Sequence, residues 1–267
     1  MAERSGFRDH FSGHAAAYER FRPGYPPELF AWLRTLPAAR RLAWDVGTGN
    51  GQVAADLAAD FGRVLASDLS LPQLARARPR RGVLYARAAA ESAPLADGSV
   101  DLVTASQALH WFDLDRFYAE VRRLLAPGGA IVAWSSSRSE YDPAVSAALA
   151  TVRERVRPYW PPERRLVDDE YRTIPFPFHE IAPPALESRV EWDLDQFLGY
   201  VGTWSATRRY RAANGHDPVA AERPAIAAAW GDPRTRRTIR FPLHIRAGRA
   251  DAVPKDGLRA VPRDGLR

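Results

Sequence analysis

The sequence predicts an α/β fold, a mostly parallel sheet of seven strands with helices on both faces. Three observations carry this. Short apolar runs alternate with stretches of helical period from about residue 41 to residue 134. A glycine-rich turn stands between the first such run and the first such helix. The 267 residues, 46% of them hydrophobic, suffice to bury a full core. Parallel strands need crossover connections, and helices that supply them cover both faces of the sheet.

The elements follow in order. Residues 1–28 are polar and aromatic, and Pro26-Pro27 stops any helix there. Residues 28–36 read as a short amphipathic helix. Residues 41–46 form the first strand and meet Gly47-Thr48-Gly49-Asn50-Gly51. Val53, Ala54, Leu57 and Ala58 then recur at helical spacing. Residues 63–68 are a strand ending in an acid, 71–77 a helix, 83–86 and 101–106 strands. Apolar positions 117, 118, 121, 124 and 125 give a helix that Pro127-Gly128-Gly129 ends. Residues 130–134 are a buried strand. Beyond Ser135, prolines at 158, 161, 162, 175 and 177 break two helical stretches. Residues 187–192 read as a strand, 194–204 as a helix and 239–247 as the last strand.

The expected organisation is an N-terminal lid segment over 1–36 and a ligand-binding core over 37–135. A helical insertion over 136–184 would cap the site. The core sheet resumes over 185–250, and 251–267 is expected to be a flexible tail holding a near-duplicate of eight residues.

Composition narrows the chemistry. With no cysteine there is no disulfide scaffold, thiolate metal site or thiol nucleophile, and no metal site is expected. No run approaches 18 apolar residues and the first residues lead into no apolar stretch, so a soluble cytoplasmic protein is expected. The formal charge is +6, but the arginines are scattered among acids in short runs, which reads as solvated helix faces.

The glycine turn carries the chemistry. Asp45-x-Gly47-x-Gly49-x-Gly51 lets the chain turn sharply and lets a ligand lie on bare backbone. A dinucleotide fingerprint wants glycine where Gln52 stands. Asp45, just ahead of the turn, is a poor neighbour for pyrophosphate but suits a cationic ligand. Asp68 follows Gly47 by 21 residues, the spacing at which a carboxylate grips ribose hydroxyls. A nucleoside with positive charge and no phosphate fits these features, and S-adenosylmethionine is such a ligand.

The sequence resembles the class I S-adenosylmethionine-dependent methyltransferases, whose fold is Rossmann-like. The matching stretches are 45–52, Ala66-Ser67-Asp68-Leu69-Ser70, 90–95, 97–103, Gln107-Ala108-Leu109-His110-Trp111-Phe112 and 125–129. A narrower resemblance, to the trans-aconitate methyltransferase-like subgroup acting on small molecules, rests on Phe11-Ser12, Tyr18, Arg22-Pro23-x-Tyr25-Pro26 and Thr203-Trp204-Ser205. The resemblance implies that Gly47, Gly49, Asn50 and Gly51 admit the cofactor. It implies that Asp45 lies near its ammonium and Asp68 takes its ribose hydroxyls. Leu69 would pack on adenine, with Ala90 and Glu91 at its edge, and Gln107 and Ala108 would meet the methionyl end. Ala89 departs from the polar residue many members carry there.

His110, just past the fourth strand, is the candidate base, or else an orienter of the acceptor. Tyr18, Arg22 and Tyr25 could close over the site, and Trp111, Tyr159, Trp160 and Trp204 could wall a pocket. An acidic acceptor would meet Arg22, Arg153 or Arg157. The expected reaction is in-line methyl transfer to a carboxylate or hydroxyl of a small molecule, by a monomer or homodimer. An RNA or DNA methyltransferase is the alternative, but no Asn/Asp-Pro-Pro-aromatic run follows the fourth strand and there is no cysteine for cytosine attack. A nicotinamide oxidoreductase conflicts with Asp45 and Gln52. A non-catalytic protein that only keeps the fold would have lost cofactor residues, and every expected position except 89 is kept.

Overall fold

The computed structural model describes residues 23–77 and 79–250. Tyr18, Arg22, most of the expected lid and all of the expected tail therefore lie outside the described residues.

Pro26 ends the incoming chain and Pro27 opens α1 (Pro27–Leu33), the position where a missing N–H costs nothing. β1 (Leu42–Val46) leads through the glycine turn into α2 (Gln52–Leu57). β2 (Arg63–Asp68), α3 (Leu71–Leu74), β3 (Val83–Arg87) and β4 (Val100–Ser106) follow. A 3₁₀ turn at Leu109–Trp111 precedes α4 (Leu114–Leu124), which passes directly into β5 (Leu125–Ser135). β1 to β5 pair in parallel in the order β3-β2-β1-β4-β5.

Strand alternation divides the apolar side chains between two faces. Ala43, Val64, Leu102 and Val132 pack with Leu29 and Leu33 of α1 and Val53 and Leu57 of α2. Trp44, Val46, Val103 and Ile131 pack on the other face with Phe117, Val121 and Leu124 of α4. The last three stand at i, i+4 and i+7 and are fully buried. Phe117→Ala would cost roughly 3–5 kcal/mol through lost burial and a cavity.

After β5 come α5 (Pro143–Ala148), α6 (Ala150–Val156), α7 (Arg164–Asp168), β6 (His179–Glu180), β7 (Leu186–Trp192), α8 (Leu194–Gly202), α9 (Ser205–Asn214), α10 (Pro218–Trp230) and β8 (Arg237–Arg249). Among the described residues the sheet has eight strands, one more than expected, because the two residues of β6 pair with the end of β8. α9 and α10 are also additional to the expected elements.

β8 serves two sheets' worth of partners. His244 to Gly248 pair antiparallel with β5, while Arg237 to Leu243 pair antiparallel with β7. Pro242 sits near the change of partner, where a strand tolerates a residue without N–H. The first half of β8 and β7 carry a second core. Ile239, Phe241 and Trp192 pack there with Val145, Val152 and Val156 of α5 and α6, and with Phe197, Ile226 and Trp230 of α8 and α10. The helical layer thus draws on residues from both sides of β7. Among the described residues no helix is long and apolar enough to cross a membrane.

Candidate active site

β1 runs straight into the glycine turn, and all three glycines have positive φ: 66° at Gly47, 58° at Gly49 and 83° at Gly51. Their surroundings differ. A Cβ on Gly47 would lie 2.5 Å from the Cβ of Ala108, and one on Gly51 2.5 Å from the Tyr85 ring. A Cβ on Gly49 would meet nothing within 4 Å. Gly47 and Gly51 therefore close the turn against protein, and Gly49 presents bare backbone to open space.

Two carboxylates frame that space. Asp45 is 1% exposed. Its Oδ1 accepts from Thr104 Oγ1 of β4 at 2.7 Å and its Oδ2 from Thr48 Oγ1 in the turn. Burial pushes its carboxyl up to about 6, the two threonine hydroxyls pull it down, and the Asp68 charge adds to the rise. Asp68 ends β2. It accepts from Gly49 N–H at 2.9 Å and from Ser70 N–H at 2.8 Å, which fixes the carboxylate against the turn.

A cleft opens beside the turn. Gln52, the first residue of α2, lines it together with Tyr25, Gln107, Ser136, Ser188 and Tyr200, over an apolar floor of Phe241 and Leu243. Gln107 follows the last residue of β4 at φ 54°, a left-handed conformation held by its N–H donating to Trp134 O at 2.8 Å. Strain of this kind concentrates where a side chain must be aimed. Tyr25 is anchored, its hydroxyl 2.6 Å from Ser106 Oγ and its ring edge-on to Trp134 at 5.4 Å.

Comparison with known proteins decides the class. A family model described as a methyltransferase domain matches residues 44–133. A methyltransferase of Dictyostelium discoideum is 30% identical over 248 residues, 90% of this chain and 94% of the relative. The chain belongs to the class I S-adenosylmethionine-dependent methyltransferases. An uncharacterized methyltransferase of Mycobacterium tuberculosis is 41% identical over 131 residues, 47% of this chain and 52% of the relative. A solved structure described as a type II methyltransferase from Anaeromyxobacter dehalogenans superposes with a TM-score of 0.80 at 45% identity, covering 86% of this chain and 98% of that one.

The cofactor of this methyltransferase is S-adenosylmethionine, and the residues present fit it. Gly49 leaves its backbone bare to open space, and Asp45 and Asp68 bring two carboxylates to the turn, the charge that a ligand with a sulfonium and an ammonium calls for. Leu69 is half-buried after Asp68, Ala90 is buried, and Ala108 packs beneath Gly47. Glu91 has a visible structural task, its Oε1 accepting from Asp113 N–H at the start of α4 at 2.9 Å. Asn50 is half-buried in the turn.

His110 lies in the 3₁₀ turn after β4, outside the residues that line the cleft, with its Nδ1 2.8 Å from the Tyr171 hydroxyl. Burial first, and then the Arg164 charge, pulls the imidazole down to about 3, so it is neutral at ordinary pH. Burial raises the Tyr171 phenol, which keeps its proton. Trp111 packs on His110 at 4.7 Å.

The other expected pocket aromatics lie elsewhere. Tyr159 packs on Tyr210 at 5.2 Å, and Trp160 and Trp204 face each other at 6.1 Å, all within the helical layer. Arg153 is engaged by Ser146 and the Tyr141 hydroxyl, and Arg157 pairs with Glu154 at 2.9 Å. A roomier cleft of about 370 Å³ lies on α8 to α10, away from the glycine turn, so it has no part in the cofactor site. Sequence reasoning passed over Thr48, Thr104, Ser136, Ser188 and Tyr200. Thr104 and Ser188 carried a signal, since each is a polar residue at an inward phase of a strand.

Proposed function

We propose that the protein transfers the methyl group of S-adenosylmethionine to an oxygen, hydroxyl or carboxylate, of a small molecule bound in the cleft beside the glycine turn. The observation that carries this is the cleft's lining. It joins Gln52, at the turn, to Gln107, at the end of β4, and its opposite wall comes from the β7–β8 ribbon and α8. A site walled by a helical layer in this way suits a small acceptor better than a polymer. The narrower resemblance to trans-aconitate-type enzymes supports the same reading.

When bound, the cofactor supplies a methyl group already activated on sulfonium. The acceptor oxygen forms the new C–O bond as the C–S bond breaks, its electron pair staying on sulfur; a hydroxyl acceptor also releases its proton. The protein's task is alignment and exclusion of water. Asp68 receives the ribose hydroxyls. Asp45, whose oxygens are taken by Thr48 and Thr104, acts on the ligand's cation by its charge and by holding the turn. His110 orients the acceptor. With the Tyr171 proton donated to Nδ1, the imidazole carries its own proton on Nε2 and donates rather than accepts. Leu69, Ala90 and Glu91 border the adenine.

The test uses methyl-labelled S-adenosylmethionine with extracts separated into small-molecule and macromolecular fractions. Label is expected in the small-molecule fraction, and Asp68→Ala should abolish both calorimetric cofactor binding and labelling. Label confined to RNA, DNA or protein would refute the proposal while leaving the methyltransferase class intact.

A further inference from the structure

Paired residues on neighbouring strands share a face of the sheet, and one such row passes beneath the glycine turn. Thr104 of β4 pairs with Asp45 of β1, Asp45 with Ala66 of β2, and Ala66 with Tyr85 of β3. The four side chains therefore stand in line on the face that α2 covers. Thr104 donates to the Asp45 carboxylate. Ala66, fully buried, is the smallest side chain of the row and leaves space over β2. Tyr85 fills it from β3. Its Cε1 and its hydroxyl oxygen lie 2.5 and 2.6 Å from the place a Cβ on Gly51 would take. The phenol also feels Asp45: burial first, and then the Asp45 charge, raises it, while Arg80 pulls it down.

Gly51 is where this ring takes hold of the turn. It stands at φ 83° and is the residue from which α2 starts. The Ala54 N–H, in the first turn of α2, helps to hold the Asp45 charge. A side chain that decides where Gly51 lies therefore decides where the end of the turn lies and where one support of Asp45 lies. Packing alone asks for less at position 85. β3 has no fully buried residue, and Leu84, on its other face, is 68% exposed. Valine would suit such a strand as well as tyrosine does, but it would not reach Gly51.

We infer that Tyr85 is a positioning residue of the cofactor site: its ring, laid over Ala66, fixes Gly51 and through it the turn that receives S-adenosylmethionine. Tyr85 acts through the backbone of the turn. The inference rests on the placement of the cofactor at the glycine turn and is independent of the methyl acceptor.

The experiment is calorimetric titration of the full chain with S-adenosylhomocysteine, well below the melting temperature of each variant. Tyr85→Leu should weaken binding about tenfold, and Tyr85→Phe, which keeps the ring, should stay within about twofold of the native chain. Gly51→Ala drives a methyl into the ring and should cost about a hundredfold. The double variant Gly51→Ala/Tyr85→Ala, with the ring gone, should bind about tenfold more tightly than Gly51→Ala, short of the native affinity because alanine stays strained at φ 83°. A ring that only filled space would lower the melting temperature of the Tyr85 variants, leave the affinity of the folded protein alone and add its effect to that of Gly51→Ala. Native affinity in folded Tyr85→Leu, or losses that simply add in the double variant, would overturn the inference. Where Gly51→Ala does not fold, Tyr85→Leu against Tyr85→Phe decides by itself. Asp68→Ala is the control: native affinity there would remove the cofactor from the turn, and the inference with it.

Discussion

Replacing Asp45 with asparagine tests the electrostatics of the cofactor turn. The native carboxyl is raised from 3.8 to about 6, first by burial. A carboxyl that binds its proton more tightly folded than unfolded contributes stability that is complete below about pH 3.8 and is lost as pH rises through about 6. Two units correspond to about 3 kcal/mol held against folding at neutral pH. Asparagine has nearly the same shape and does not titrate. Relative to the native chain, D45N should therefore gain stability with pH, by about 1.4 kcal/mol between pH 5 and pH 8. At roughly 2–4 °C per kcal/mol for a chain of this size, the melting-temperature gap should widen by roughly 3–6 °C. A constant offset underlies this, because an amide cannot accept from both Thr48 and Thr104. Scanning calorimetry of both proteins without ligand at pH 5, 6, 7 and 8 measures it. A gap that stays flat, or narrows as pH rises, would refute the account of Asp45 as a buried charge. Added S-adenosylmethionine should stabilise the native chain more than D45N.

Gly49→Ala should fold, with about 1 kcal/mol lost to its φ of 58°, but calorimetry should show cofactor affinity down by about a hundredfold or more because the new methyl occupies the approach. Gly47→Ala, 2.5 Å from Ala108, should instead lower the melting temperature itself. The His110 imidazole should remain neutral down to about pH 4 in ¹⁵N NMR, and Tyr171→Phe should change its tautomer balance without unfolding the protein; a His110 that titrates near 6.5 would contradict its burial. Glu120 is held below the usual carboxylate range by Arg123 and by Ala93 N–H. Its contribution is present at neutral pH and lost as pH falls, so Glu120→Gln should cost about 1–2 kcal/mol by urea melts at pH 7 and little at pH 3.

The parallel core was legible because its cues are local. The short, mostly apolar runs at 41–46 and 101–106, the helical period from Phe117 to Leu124 and the glycine turn each announce an element without reference to the rest of the chain. α10 was not, because Ala220, Ala221, Ala225 and Ala227 to Ala229 give its helix little contrast between faces and Pro224 lies inside it. The fate of Tyr159, Trp160 and Trp204 was equally hidden. An aromatic's sequence neighbourhood says that it is buried, and only the path of β8 decides whether it is buried in a pocket or in the second core. The candidate cofactor residues stand at the turn and the strand ends, places that the local sequence pattern marks. The acceptor side was less legible, since Ser136, Ser188 and Tyr200 come together from a loop, a strand and a helix far apart in sequence.

The shared strand β8 has a consequence for how the chain comes into being. β5 is complete at Ser135, but the strand that pairs with its outer edge runs to Arg249, 114 residues later. At about 5–20 residues per second, synthesis leaves that edge bare for roughly 6–23 seconds. Ile131 to Ser135 then present unpaired peptide groups on an apolar strand, a template for pairing with a neighbouring nascent chain. The nascent chain's most vulnerable interval therefore falls after its cofactor turn is already made, and a holdase that binds extended apolar segments would be expected to act there.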